Sequence, residues 1–209
     1  IVPSRYKNTR EAYAEIWTSE GSPLINSTLA LGKKIHSKSG TPVEVAMRYQ
    51  YPSIEEGLVN LKDKGCSDIF VVPLYPHYAM STILTTEKEV KRIEKQLSLN
   101  LNLNFIGTFY NEKEYISSLG NVININRSKK SDFLLFSYHG IPNRHLLKTD
   151  PTKNHCLKAK DCCEVESEAK PFCYKAQVLE TSRLCANELN LKEEEWGVSF
   201  QSRIGPGWI

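Results

Sequence analysis

Asp132-Phe-Leu-Leu-Phe-Ser-Tyr-His-Gly-Ile-Pro142 opens as a short apolar run, Phe133 to Phe136, bounded by polar residues. Such a run reads as a strand buried on both faces of a parallel sheet. Gly140 and Pro142 then turn the chain out of the strand. His139 is therefore expected at the carboxyl end of a central strand, where ligands bind in open α/β sheets. An imidazole there can bind a metal, accept a proton near neutral pH, or simply hydrogen-bond a loop.

The flanking sequence alternates between the two periodicities. Residues 8 to 18 read as a helix through Ala12, Tyr13, Ile16 and Trp17. Gly21 breaks it, and Ser22-Pro23 reads as the cap and first turn of a second helix running to about Ser37. Val43 to Tyr49 alternates like a strand. Ile54 to Lys64 follows as a helix with Glu55 and Glu56 in its first turn, where the macrodipole favours them. Asp68 to Tyr75 is a second strand, then a loop over His77 to Thr82 leads into a helix ending near Leu97. Residues 104 to 110 form a third strand and 112 to 126 a helix. Beyond the His139 strand, Ala176 to Leu189 is helical and Trp196 to Phe200 is a last strand. Strands alternating with helices predict an α/β fold, a parallel sheet flanked by helices on both faces.

Parallel strands carry their carboxyl ends to one rim. Arg48-Tyr49, Tyr75, Phe109-Tyr110, His139 and Gln201-Ser202-Arg203 stand at those ends. Each aromatic alone reads as ordinary rim packing. The set, with its two arginines, suits a flat aromatic ligand bearing carboxylates.

The chain of 209 residues is 40% hydrophobic and 24% charged, which places it among globular proteins. A net charge of +3, with only short basic clusters such as Arg127 to Lys130, argues against nucleic acid. No apolar run approaches the roughly 18 residues of a membrane helix, and no signal-peptide pattern is present. No Gly-x-Gly-x-x-Gly or Walker loop follows any strand, which argues against a nucleotide. The start at Ile1-Val2-Pro3 and the stop at Gly207-Trp208-Ile209 read as those of a fragment.

Cys156, Cys162, Cys163 and Cys173 crowd into one loop, while Cys66 and Cys185 stand apart as plain buried residues. Disulfides would need an oxidising compartment, which nothing signals. Structural zinc favours two Cys-x2-4-Cys knuckles, a poor match to the adjacent pair Cys162-Cys163. A [2Fe–2S] cluster also takes four thiolates and tolerates looser spacing.

Ser137-Tyr138-His139-Gly140-Ile141-Pro142, Lys148-Thr149-Asp150-Pro151 and Ser199-Phe200-Gln201-Ser202-Arg203-Ile204-Gly205 resemble the ferrochelatase signature, as do Gly21-Ser22-Pro23, Arg48-Tyr49 and Leu74 to Thr82. The resemblance implies a porphyrin-binding enzyme, a lyase that inserts Fe(II) as substrate into protoporphyrin IX or coproporphyrin III in haem synthesis. Two alternatives stay open: a chelatase for cobalt or nickel, and a module that binds a tetrapyrrole or an Fe–S cluster without turnover. The family fold is two α/β lobes around the porphyrin. On that pattern residues 1–135 match the first lobe and 136–209 the start of the second, with a cysteine insert at 150–175. His139 matches the active-site histidine, as metal ligand or proton acceptor. Ser22, Pro23, Arg48, Tyr49, Tyr75, Tyr78 and Phe109 match porphyrin-pocket positions. The partner carboxylate of the histidine is expected beyond Ile209.

The animal-type cluster uses a cysteine where this chain has Met80. The resemblance is instead to bacterial members whose insert holds a [2Fe–2S] cluster on four cysteines, here Cys156, Cys162, Cys163 and Cys173. A cytoplasmic location is expected. A family lip that gives peripheral membrane contact is expected in an N-terminal part before Ile1.

Overall fold

The structure is a computed structural model that describes residues 10–11, 13–127 and 133–209. Ala12, Asp132 and most of the Arg127 to Lys130 cluster, named above, lie outside the described residues, as does the start of the first predicted helix. Residues 10–11 and 13–16 are helical as expected, but the helix ends before Trp17, and Thr18 forms a bridge with Gly21. The chain divides into two compact units. One comprises the described residues within Ile1–Ile69 and Glu89–Asn104, the other Phe70–Lys88 and Phe105–Ile209.

In the first unit, helix α1 (Pro23–Ser39) begins with Pro23 in its first turn, as its fixed φ favours, and ends on Gly40 in the left-handed conformation. Helix α2 (Ile54–Asp63) starts on a full capping box. The Ser53 hydroxyl accepts from the Glu56 amide, and the Glu56 carboxylate accepts from the Ser53 amide. Segment 43–46 runs close to both helices. A Cβ on Gly32 would stand 2.7 Å from the Val45 side chain, and one on Gly57 would touch Ala46 and Glu44. Lys64 pairs with Glu44 to brace the far side.

The strand expected over Val43 to Tyr49 is a correction: these residues join no ladder among the described residues. Alternation of side chains is present there, but a strand also needs a neighbour for its N–H and C=O groups. Beside this segment lies a groove of about 660 Å³ lined by Leu29, Val43, Val45 and Tyr51.

The remaining strands form two pairs. Strand β1 (Asp68–Val71) pairs with β2 (Asn102–Phe105). The Asn102 amide donates to Ser67 and the Ile106 amide to Val71, so the two strands run parallel. Both are shorter than expected. β1 stops before Pro73, which cannot donate to a ladder, and β2 closes at Phe105 rather than Tyr110. Between them, a π-helical turn (Met80–Leu84) leads into α3 (Thr85–Leu97). The sequence reading places Met80 to Thr82 in the loop before that helix, where the structure forms the π-helical turn.

In the second unit, α4 (Lys113–Asn126) leads to β3 (Leu134–His139), and α5 (Asn143–Thr149), α6 (Tyr174–Glu188) and β4 (Trp196–Gln201) follow. β3 and β4 are parallel, in register from Leu134 opposite Trp196 to His139 opposite Gln201. Phe136, Cys185 and Ala186 form the core here, joined by Leu119 and Ile123 of α4, and Trp196 meets Phe136 edge-on. The parallel pairs flanked by helices bear out the α/β class. β3 itself is covered on its even-numbered face only: Phe136 is buried while Leu135 is 56% exposed. No helix is long and apolar enough to cross a membrane among the described residues.

Candidate active site and cysteine segment

His139 closes β3, as the sequence predicts, and is exposed. Its Nδ1 lies 2.7 Å from the carbonyl oxygen of Gly140. A carbonyl only accepts, so Nδ1 carries the hydrogen and the neutral ring presents its lone pair at Nε2. The turn that follows is latched by the C-terminal residues. The Gly140 amide donates to Gln201, the Ile209 amide to Ile141 and the Asn143 amide to Gly207. Pro142 and Trp208 form an antiparallel bridge. Gly140 is required by this latch: a Cβ there would sit 2.5 Å from the Ile209 oxygen and 3.0 Å from that of Gln201.

Around His139 the second unit assembles a buried polar set. Tyr174 donates its hydroxyl to the His139 carbonyl. His77 is buried, edge-on to the rings of both Tyr138 and Tyr174. The Thr181 hydroxyl donates to the Tyr110 carbonyl, so it can only accept from His77 at 2.9 Å, which places the His77 hydrogen on Nε2. Burial pushes His77 down to about 4. The Ser182 hydroxyl is likewise committed as donor to Val178, so Tyr138 donates to it. Burial pushes the Tyr138 phenol up to about 12.

Tyr78 is half-buried, its ring edge-on to Phe172 and its amide donating to the Gln177 side chain at 2.7 Å. Phe109 meets Tyr115 edge-on, and its amide donates to Pro76 at the head of the same loop. Tyr75 is exposed. Sequence reasoning singled out neither His77 nor Gln177, Thr181 and Ser182. For the last three the signal was polar residues on the face of α6 that also carries Ala176, Val178 and Cys185.

In the first unit, Ser22 stands at the N-cap of α1, but its hydroxyl makes no capping bond. The Arg48 guanidinium lies 4.6 Å over the Tyr49 ring, and its buried Nε has no hydrogen-bond partner. That orphan donor and the exposed Tyr49 ring make a place for an anionic group with an apolar body.

All four insert cysteines are free thiols drawn toward one another. The sulfurs of Cys162 and Cys163 are 4.0 Å apart. The closeness of Cys163 and Cys173 raises the Cys163 thiol and lowers that of Cys173. Cys173 is the N-cap of α6, where its sulfur also accepts from the Ala176 amide at 3.5 Å. Burial, with the nearby Cys173, pushes Cys156 up to about 12. Cys156, Cys173, Ile141, Leu146, Ala169 and Ala176 share one small core. Among the described residues, no group of three or more His, Cys, Asp or Glu is already set out to hold a metal ion. Cys185 is fully buried as expected, whereas Cys66 is only half-buried.

The loop leading into Cys156 is organised by Asp150, which is 4% exposed. Its carboxylate accepts from the amides of Thr152, His155 and Cys156 and from the Thr152 hydroxyl. Burial alone would raise this carboxyl; those four bonds outweigh it and hold the group well below the usual carboxylate range.

The chain belongs to the ferrochelatase family, whose family model matches residues 1–209. It is 42% identical to a ferrochelatase of Pseudomonas fluorescens and 43% identical to one of Ectopseudomonas mendocina, in each case over 100% of this chain and 62% of the relative. A ferrochelatase of Opitutus terrae is 39% identical over 100% of this chain and 61% of its own length. The chain thus spans about three fifths of the length of these relatives.

Proposed function

We propose that the protein carrying this chain inserts Fe(II) into a porphyrin, protoporphyrin IX or coproporphyrin III, with His139 as the reacting side chain. One observation supports this above the others: the His139 Nδ1 hydrogen is committed to Gly140, which leaves Nε2 of this exposed residue for the reaction at the carboxyl end of a parallel strand. Insertion exchanges two pyrrole protons for one Fe(II). A neutral Nε2 can take up one of those protons or replace a water on the metal. On this reading Ser22, Pro23, Arg48 and Tyr49, and in the second unit Tyr75, Tyr78 and Phe109, bind the porphyrin. The orphan Nε of Arg48 suits a porphyrin carboxylate, and the aromatic rings suit its faces. Residues 1–135 belong to the family's first lobe and 136–209 open the second. The setting that goes with the reading is the cytoplasm, with peripheral membrane contact.

Cys156, Cys162, Cys163 and Cys173 are the residues that would hold a [2Fe–2S] cluster. Four free thiols in one segment, Cys162 and Cys163 4.0 Å apart and Cys163 packed on the core of Cys156 and Cys173, fit its donor chemistry. The group would supply a one-electron couple and a clip on the loop. The chain's own part is to gather the thiols around the α6 N-terminus and aim the Ala176 amide at one of them.

The test is anaerobic Fe(II) insertion followed by loss of porphyrin fluorescence, in the protein that carries this chain. His139→Ala is expected to slow insertion by at least about 100-fold while porphyrin still binds. Porphyrin binding without turnover by the unaltered protein would instead identify a binding module. Turnover of Co(II) or Ni(II) in preference to Fe(II) would identify a chelatase for another metal.

A further inference from the structure

One fully buried side chain bonds both the Tyr78 loop and the exit of the cysteine segment. Gln177 lies one turn after Cys173 in α6 and is 0% exposed. Its Oε1 accepts from the Tyr78 amide at 2.7 Å. Its Nε2 donates to the carbonyls of Pro171 at 2.9 Å and Lys170 at 3.3 Å. Those carbonyls belong to the 3-10 turn Lys170–Phe172, which delivers Cys173 to the N-cap of α6. The ring of Phe172, in the same turn, packs edge-on against Tyr78 at 5.5 Å. An amide with donors on one side and an acceptor on the other cannot be satisfied if either partner moves alone, and leaving it unpaired in the interior is costly.

We propose that Gln177 is a positioning residue that holds the Tyr78 loop to the turn before Cys173, so that the ligation state of the cysteine segment sets porphyrin affinity. The proposal rests on the porphyrin and cluster reading above. With the thiols ligated, the Lys170–Cys173 turn is fixed, its carbonyls orient the Gln177 amide, and Oε1 stays on the Tyr78 amide. With the thiols released, the turn relaxes, and the Tyr78 loop loses its anchor together with the Phe172 ring. Coupling of this kind needs an element that both sites bias, and the Gln177 amide is that element.

The experiment measures porphyrin Kd by fluorescence quenching, with the cluster loaded and after its removal by chelation. It also measures hydrogen exchange in peptides covering Tyr75 to Met80, along with iron and sulfide content. In the unaltered protein, cluster removal is expected to weaken porphyrin binding about fivefold to tenfold, the worth of one hydrogen bond and its packing. Exchange at the Tyr78 amide should rise by a similar factor. In Gln177→Met, which keeps the volume but not the bonds, both ratios should fall to about one while iron and sulfide content is retained. Should that variant fold poorly, Phe172→Leu loosens the same turn at a half-exposed position and should shrink the ratio in the same direction. An unchanged Kd on cluster removal, or a ratio retained in Gln177→Met, overturns the proposal. If no cluster is found, the cluster reading and its coupling fall together. If His139→Ala still inserts iron, the catalytic assignment falls while the Tyr78 exchange arm still tests Gln177.

Discussion

The carboxylate of Asp150 accepts the amide hydrogen of Cys156 at 2.8 Å, and the same oxygen accepts the His155 amide. A residue six positions upstream thereby sets the backbone on which the first thiol of the segment is displayed. Because those bonds go to the ionised form, Asp150→Ala should leave three amides and a hydroxyl without their acceptor. The expected cost is about 2 kcal/mol of stability, less than the sum of four bonds because the loop can turn toward water. Chemical denaturation checks it.

The same carboxylate predicts an acid limb. Its folded value is depressed, so its contribution is present above the ordinary unfolded value near ~3.9 and is lost as pH falls below that. Order in loop 150–156 should hold at pH 5 and fail only in strong acid. Asp150→Asn should remove that limb, read as circular dichroism against pH.

His77 predicts a second pH dependence in a different window. Burial lowers it to about 4, while an unfolded histidine titrates near ~6.5. Between these values the unfolded chain binds the extra proton, so stability rises with pH there and is complete above ~6.5. Passing from pH 7 to pH 5 should cost about 2 kcal/mol through this residue. His77→Gln, which can still donate to Thr181, should flatten the difference between urea midpoints at the two pH values.

Gly140→Ala should be disproportionately harmful for one methyl group. The added Cβ meets the backbone oxygens of Ile209 and Gln201 as well as the Arg203 side chain, and the two backbone oxygens cannot swing aside. The latch must open by several tenths of an ångström or more, at a cost of about 1–3 kcal/mol. His139 loses the carbonyl that sets its tautomer. A lowered thermal midpoint together with slowed metal insertion is the expected pair of results.

Anaerobically purified protein is expected to show bands near ~330 and ~420–460 nm and about two irons and two sulfides per chain. Cys163→Ser should abolish them, because Cys163 stands 4.0 Å from Cys162 and packs against the small core that holds Cys156 and Cys173. One zinc in colourless protein would make the segment a structural zinc site instead.

The α/β order, the limits of α2, α4 and β4, and the place of His139 at a strand end were all legible from local signals. Apolar runs, caps and proline act within a few residues of where they stand, so a linear reading recovers them. The same holds for the motifs that identify the family. Tertiary structure alone decided which segments became strands and which polar groups met. Val43 to Met47 has the alternation of a strand yet joins no ladder among the described residues, because pairing depends on a neighbour that no local pattern supplies. His77, Thr181 and Gln177 look like ordinary polar residues in sequence. They matter because folding brings positions 104 and 99 apart in the chain within hydrogen-bond reach, out of water, where each donor must find its acceptor.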